Sequence, residues 1–110
     1  MRNIKDYSDI RCPMHGLLNL LSGTWTSYIL WLIQEHGSLR FGQLKKQMPG
    51  ISAKVLTERL RKLEEGGFVS RVQEATIPPK VTYSLTKRGA QLQAPLDQLS
   101  ALAKKWSSAA

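Results

Sequence analysis

The chain has few cysteines, few acidic residues and no long apolar run, and each shortage excludes a class of protein. Among its 110 residues Cys12 is the only cysteine, so an internal disulfide and a zinc site of several cysteines are both excluded. A chain without an internal disulfide is typical of the reducing cytoplasm. The longest apolar run covers only residues 28–33, whereas a membrane-spanning helix needs about 20 residues. Because the polar N-terminus does not resemble a secretory signal, the sequence predicts one small, soluble, cytoplasmic domain.

Acidic side chains are also scarce relative to basic ones. Eight Asp and Glu stand against 16 Lys and Arg, which gives a formal net charge of +8. An excess of this size favours an anionic partner, with nucleic acid first and an anionic membrane surface second. Charge alone leaves a further alternative open, namely a basic surface that only keeps copies of the protein apart.

Helical spacing of apolar residues predicts two helices in the first third of the chain. Pro13 is suited to open the first one, since proline at the first helical position gives up no hydrogen bond, and Gly23 is expected to end it. Thr24 is the expected N-cap of the second helix. Trp25 is the first residue of that helix's apolar stripe, and Gly37 is the predicted stop.

A short helix, a turn and a longer amphipathic helix are predicted next. Phe41, Leu44 and Met48 share one face of the short helix, which the pair at 49–50, Pro-Gly, breaks. The longer helix is predicted from about Ser52, its N-cap, to about residue 65. It has an apolar side of Ala53, Leu56, Leu60 and Leu63 and a charged side of Lys54, Glu58, Arg61, Lys62 and Glu65. This order is typical of a helix-turn-helix.

The pattern then changes to a period of two. A strand is predicted over residues 68–72, and Val81, Tyr83 and Leu85 alternate with polar residues in a second strand. The connection between them contains a Pro-Pro pair at 78–79, so the two strands form a hairpin with a long tip. A hairpin that directly follows a helix-turn-helix is a wing. The predicted fold is therefore mainly α with a β-hairpin wing, a winged helix-turn-helix.

The last segment predicts a dimerisation helix. Thr86 is its expected N-cap, and Pro95 is expected to kink it. Apolar residues spaced 4, 3, 4 and 3 apart form a heptad seam suited to another helix; the seam consists of Leu92, Leu96, Leu99, Ala103 and Trp106. We thus divide the chain into an N-terminal arm (1–11), a winged helix-turn-helix (12–86) and a C-terminal dimerisation helix with its tail (87–110).

Several stretches together resemble the HxlR-type bacterial transcriptional regulators, relatives of the MarR winged-helix proteins. The most specific stretch is GISAKVLTERLRKLEEGG at residues 50–67, and the Cys-Pro pair at 12–13 also fits. The resemblance implies a homodimer on an inverted repeat of double-stranded DNA, with the fourth helix in a major groove and the wing at the flanking minor groove. The chain departs from the family pattern at Thr24, where lysine is frequent.

The candidate DNA contacts lie on the fourth helix, the wing and the end of the third helix. Recognition helices use their N-terminal half to read bases, where arginine suits guanine and glutamate suits cytosine. The candidates are Ser52, Lys54, Val55, Glu58, Arg61, Lys62, Lys80, Lys45 and Lys46. Arg71, at the base of the hairpin, has a weaker case. The alternative for each is an ordinary solvated side chain.

Cys12 is the candidate redox sensor. It stands at the start of a predicted helix beside Arg11, and both the helix dipole and the cation favour a thiolate. Such a thiolate can be oxidised or alkylated, and the resemblance implies a response to an electrophile or oxidant at this position. An inert, space-filling cysteine is the alternative. Without a second cysteine, any disulfide joins two molecules.

Neither an enzyme nor a metal or cofactor site is predicted. The sequence contains no phosphate loop and no pairing of nucleophile and base, and His15 and His36 have no ligand partners at metal-binding spacing. The leading interpretation is a sequence-specific DNA-binding regulator. A winged-helix module that binds protein or RNA without specific DNA readout is the alternative.

Overall fold

The computed structural model describes residues 12–23 and 25–108, and within them a winged helix-turn-helix followed by a long C-terminal helix. Thr24 and the predicted arm at residues 1–11 lie outside the described residues. The elements, in chain order, are α1 Pro13–Leu21, α2 Thr26–His36, β1 Ser38–Arg40, α3 Phe41–Gln47, α4 Ala53–Glu65, β2 Val69–Glu74, β3 Lys80–Leu85, α5 Lys87–Ala90 and α6 Gln93–Ser108. None of the helices found in these ranges is long and apolar enough to cross a membrane.

The predicted hairpin is part of a three-stranded antiparallel sheet. β3 lies in the centre of the order β1-β3-β2, and Tyr83 on β3 pairs with Leu39 on one side and with Arg71 on the other. Sequence patterning did not predict β1, because three residues are too few to show an alternation. Its pairing partner also lies more than 40 residues further along the chain.

The core fills the space between α2, α3, α4 and the inner face of the sheet. The apolar side predicted for α4 is confirmed for Leu56, Leu60 and Leu63, which are all buried. Ala53 is exposed instead, because it stands in the first turn of α4, before the part that packs on the core. The other buried apolar side chains include Ile29, Leu30, Ile33, Leu39, Leu44, Met48, Ile51, Phe68, Val69 and Tyr83.

The start of α2 differs from the prediction. Trp25 occupies the N-cap position with a left-handed backbone (φ 82°), and the helix begins one residue later, at Thr26. Left-handed backbone costs an ordinary residue about 1–2 kcal/mol. Part of the Trp25 ring is nevertheless buried against the core, and its centroid lies 6.0 Å from that of Tyr28. Packing of the ring thus places Trp25 before the helix, and not on its stripe.

The C-terminal segment divides into two helices where one was predicted. Thr86 caps the one-turn α5, since its Oγ1 accepts a hydrogen bond from the Gly89 N–H at 3.0 Å. The chain then turns at Leu92, and α6 begins at residue 93. Pro95 is the third residue of α6. The interruption between α5 and α6 at residues 91–92 lies three to four residues before Pro95, where a proline ring clashes with the carbonyl of a continuing helix. The kink predicted at Pro95 takes the form of this break.

The end of α4 and the start of α5 are held together by several hydrogen bonds and a close backbone contact. The Thr86 N–H donates to the Phe68 carbonyl oxygen at 3.1 Å, and the Arg88 guanidinium donates to the Gly66 carbonyl oxygen at 2.9 Å. The Thr86 hydroxyl donates to the carbonyl oxygen of Gly67. A Cβ atom on Gly89 would overlap the carbonyl oxygen of Phe68, so only glycine permits this close approach.

Substituting Gly89 by alanine should destabilise the protein, because the new methyl group has to displace backbone. We expect a loss of about 1–3 kcal/mol in the free energy of unfolding, the usual cost of overpacking. Urea unfolding followed by circular dichroism measures it. Gly42→Ala is the matched control. A Cβ at Gly42 meets nothing within 4 Å, and alanine in a helix is up to about 1 kcal/mol more favourable than glycine. Equal stabilities of the two variants would contradict the close approach at Gly89.

Candidate nucleic-acid interface

α4 presents a charged face to solvent from a well-capped start. Ser52 is its N-cap, as predicted, and its Oγ accepts a hydrogen bond from the Val55 N–H at 3.1 Å. The opposite face is held by the buried leucines of the core. Lys54, Glu58 and Arg61 are exposed, so the buried face leaves these three side chains free to meet a large partner.

The turn between α3 and α4 fixes the angle at which α4 projects. The Ile51 N–H donates to the Met48 carbonyl oxygen at 3.1 Å, and both side chains are buried. Gly50, between them, has a left-handed backbone with φ 91°, which glycine adopts without strain. Lys45 and Lys46 lie exposed in the last turn of α3. The helix-turn-helix is therefore a rigid unit with lysines beside α4.

The wing is the hairpin of β2 and β3. Lys80 is exposed at the start of β3 and lies opposite Glu74 in the strand register. The tip is ordered by a hydrogen bond from the Thr76 hydroxyl to the Pro78 carbonyl oxygen at 2.9 Å. Ile77 at the tip is fully exposed. The wing thus carries Lys80 next to its tip, and the tip itself exposes the apolar side chain of Ile77.

Two predicted contact residues are less accessible than their neighbours. Val55 is half-buried and packs against the hydrophobic core, so less of its side chain is available to DNA than the prediction assumed. Lys62 is half-buried as well. The other predicted contact residues are exposed, namely Ser52, Lys54, Glu58, Arg61, Lys45, Lys46 and Lys80.

A cleft of about 470 Å³ separates α4 from the wing. Arg61 lines it from the helix and Arg71 from β2, although ten residues separate them in the chain. The sequence named both but had no means of bringing them together, since the strand register and the packing of α4 on the sheet decide it. The lining consists of Phe41, Thr57, Arg61, Glu64, Arg71, Val81 and Tyr83.

A model of the HxlR-like helix-turn-helix family matches residues 20–110. The chain belongs to this family. It is 40% identical over 95 residues to an uncharacterised HTH-type transcriptional regulator from Synechocystis sp., a match that covers 86% of this chain and 70% of that protein. The HxlR-type fold and the transcription-regulator class inferred from the sequence are thereby confirmed.

Two redox-related regulators whose structures were solved in the reduced form are similar to this HxlR-like chain. The reduced form of the transcriptional regulator YodB from B. subtilis is 33% identical, with a TM-score of 0.75, and the match covers 92% of this chain and 99% of that one. The redox regulator HypR in its reduced form is 31% identical, with a TM-score of 0.81, over 86% and 92%. YodB after diamide treatment and oxidised HypR are similar too.

The seam predicted on the last helix of this HxlR-like chain has two parts. Leu92 and Leu96 are half-buried and pack against the chain's own core. Leu99, Ala103 and Trp106 are exposed, with 61% of Leu99 and 67% of Trp106 accessible. An exposed apolar stripe on a helix is unfavourable in water, so the second part of the seam is suited to cover by another surface.

α6 is held against α2 at its beginning. The Gln34 side-chain amide on α2 donates to Asp97 Oδ1 on α6 at 2.9 Å. An apolar groove of about 350 Å³ lies between the two helices, and Trp31 and Leu99 line it from opposite sides. The direction of α6, and with it the direction of the exposed stripe, is therefore coupled to the helix-turn-helix.

Cys12 is exposed and stands directly before α1, at its N-cap position. Its thiol is free in the single chain, where one cysteine excludes an internal disulfide. Arg11, the predicted neighbouring cation, lies outside the described residues. His15 Nε2 lies 3.4 Å from the Asn19 side-chain amide, and within residues 12–23 and 25–108 no three His, Cys, Asp or Glu side chains are grouped to hold a metal ion.

Proposed function

We propose that this HxlR-like chain is a homodimeric regulator that binds an inverted repeat in double-stranded DNA. One observation carries the proposal: α4 projects a charged, exposed face from a rigid helix-turn-helix, directly beside a wing. A helix of about 10–12 Å diameter fits the major groove of B-DNA. Its N-terminal residues are the ones that reach base edges in such folds, and here those residues are Ser52 and Lys54.

The exposed side chains divide into base readers and phosphate contacts. Lys54 and Glu58 stand on the outward face of α4; Lys suits guanine O6 and N7, and Glu accepts from cytosine N4. Lys45 and Lys46, on α3, and Lys80, on the wing, flank that face and suit backbone phosphates. The net charge of +8 supplies long-range attraction to DNA.

Dimerisation through α6 is the second part of the proposal. The exposed stripe of Leu99, Ala103 and Trp106 has no cover within residues 12–23 and 25–108. An inverted repeat presents two equal half-sites about 34 Å apart, which a protein with two-fold symmetry matches. Pairing of two α6 helices would both bury the stripe and set the distance between the two α4 helices.

A response to oxidants or electrophiles through Cys12 is the third part. The thiol is exposed, so a reagent can reach it. The similarity to YodB, which has reduced and diamide-treated forms, and to HypR, which has reduced and oxidised forms, supports the proposal. An adduct at the start of α1 would then change how the two subunits lie on DNA.

Wild-type protein should select an inverted repeat from a library of random duplexes, and Lys54→Ala should weaken binding to the selected duplex. If Lys54 contacts a base, the loss is about 1–3 kcal/mol and the preference at one position relaxes. Fluorescence anisotropy over a salt series measures both affinity and salt slope. Lys104→Ala, which removes an equal charge from α6, is the control. Weak binding without sequence preference would instead favour a protein- or RNA-interaction module.

Leu99→Asp should convert the dimer to monomers, because a carboxylate on each copy would be buried at the paired stripe. Sedimentation velocity gives the oligomeric state, and affinity for the selected duplex should fall at least tenfold. Val72→Asp is the matched control for the oligomeric state alone, since Val72 is 56% exposed and lies away from α6, whereas its position on the wing would lower DNA affinity by itself. A dimer that persists in Leu99→Asp would show that the interface lies elsewhere.

Diamide or a quinone should lower the DNA affinity of the wild type and leave that of Cys12→Ser unchanged. The thiol is the group that either reagent modifies, and mass spectrometry of the intact protein counts the adducts. With one cysteine per chain, diamide oxidises the Cys12 thiols of two chains to a disulfide between them or, when a small thiol such as glutathione is added, to a mixed disulfide with that thiol. An equal response of the two proteins, or no response of either, would contradict the sensor role.

A further inference from the structure

The cleft between α4 and the wing has an unbalanced charge. Two guanidinium groups, of Arg61 and Arg71, and one carboxylate, of Glu64, face it, which leaves +2 − 1 = +1. The Arg71 guanidinium donates to Gln73 Oε1 at 3.3 Å. Within the described ranges the Arg61 guanidinium has neither an ion pair nor a hydrogen bond. The cleft therefore favours an anion.

The rest of the cleft has a different character. Phe41, Val81 and Tyr83 supply apolar surface, and Thr57 adds a hydroxyl that donates to the Ala53 carbonyl oxygen at 2.8 Å. One wall is thus apolar and the rim is cationic. A sugar–phosphate unit has the matching chemistry, because its deoxyribose is largely apolar and its phosphate carries one negative charge.

The position of the cleft relative to DNA follows from the proposed function, on which this inference rests. A major groove and the adjoining minor groove of B-DNA are separated by one sugar–phosphate strand. When α4 lies in the major groove and the wing reaches the minor groove, that strand has to pass between them. The space between α4 and the wing is the cleft that Arg61 and Arg71 line.

We infer that Arg61 and Arg71 together bind a phosphate of the strand that separates the two grooves. This assigns Arg61 to the backbone, whereas the sequence left open whether it reads a base, and it gives Arg71, the weaker candidate, a phosphate contact. Phosphate contacts position a protein on DNA and carry no sequence information directly. The two arginines set how deep α4 enters the groove, while Lys54 and Glu58 remain to read bases.

Glu64 lowers the affinity of the same contact. Its carboxylate faces the cleft that receives the phosphate, and like charges at short range repel. Glu65, the next residue, is exposed but does not line the cleft. The pair therefore offers two substitutions of equal charge change, of which only the one at Glu64 acts on the phosphate.

The test uses the full chain and two duplexes, one selected by the wild type and one with the same bases in scrambled order. Arg61→Gln and Arg71→Gln should each weaken binding roughly 3- to 10-fold at 0.15 M salt and lower the salt slope by about 0.9. The loss should be the same on both duplexes. Lys104→Gln, with the same charge change on α6, should lose less. Both arginines are exposed, so melting temperatures should match that of the wild type.

The glutamates provide an independent result of opposite sign. Glu64→Gln should strengthen binding to both duplexes several-fold, and Glu65→Gln should strengthen it less. Equal gains from the two substitutions would show that only net charge matters, which overturns the role of the cleft.

Two further outcomes would overturn the phosphate contact while the proposed function stands. In the first, Arg61→Gln changes the preferred base at one operator position, which would make Arg61 a base reader. In the second, both arginine variants bind as well as Lys104→Gln does. Failure of the wild type to bind any duplex is a different result, since it removes the proposed function and the phosphate contact with it.

Discussion

The close approach of residues 66–68 to residues 86–89 is the constraint on which the arrangement of this protein depends. Here the end of α4, the start of the wing strand β2 and the start of α5 meet through one backbone hydrogen bond, from Thr86 to Phe68, and through side-chain hydrogen bonds from Thr86 and Arg88 to backbone carbonyls. Gly89 allows that meeting because a side chain in its place would overlap the Phe68 carbonyl oxygen. This contact therefore fixes the end of α4, which faces DNA in our proposal, next to the start of α5, which leads into α6 and its exposed stripe.

This geometry explains why a small chain can couple dimerisation to DNA binding. α6 is held on α2 by the hydrogen bond between Gln34 and Asp97, and α2 forms the core together with α4. In the proposed dimer, a displacement of α6 at the subunit interface would also displace α4, because packed interiors have low compressibility and move as a unit.

The charged face itself depends on burial on the other side. Leu56, Leu60 and Leu63 hold α4 on the core, and the fixed orientation of the helix then decides what each polar side chain meets. Lys54 and Glu58 face outwards, while Arg61, one turn later, lies beside the wing. Charges on a single helix thus acquire different surroundings, and in our proposal different parts of the DNA.

Most helices and the hairpin were predictable, because their signals are local. α4 shows a period of 3.6, a serine cap and a Gly-Gly stop, and β3 shows a clean period of two. β1 was not predictable, since its partner is distant in sequence and its three residues show no pattern. The same holds for Trp25, whose backbone conformation follows from where its ring packs. The sequence also predicted an effect of Pro95 on the last helix, but not that the helix would divide in two at residues 91–92.

The sequence predicted which residues belong to the candidate site, but not how they are arranged in space. The sequence named the basic residues of α3, α4 and the wing from charge and helical periodicity, and the family followed from residues 50–67. It also placed Val55 among the DNA contacts, although Val55 packs on the core. The sequence by itself determined the winged helix-turn-helix, the positive charge and the cap of α4, because periodicity, charge and capping act over a few neighbouring residues. Only the tertiary structure decided that Arg61 faces Arg71 across a cleft and that Leu99 and Trp106 stay exposed, because contacts between distant elements depend on how the core packs.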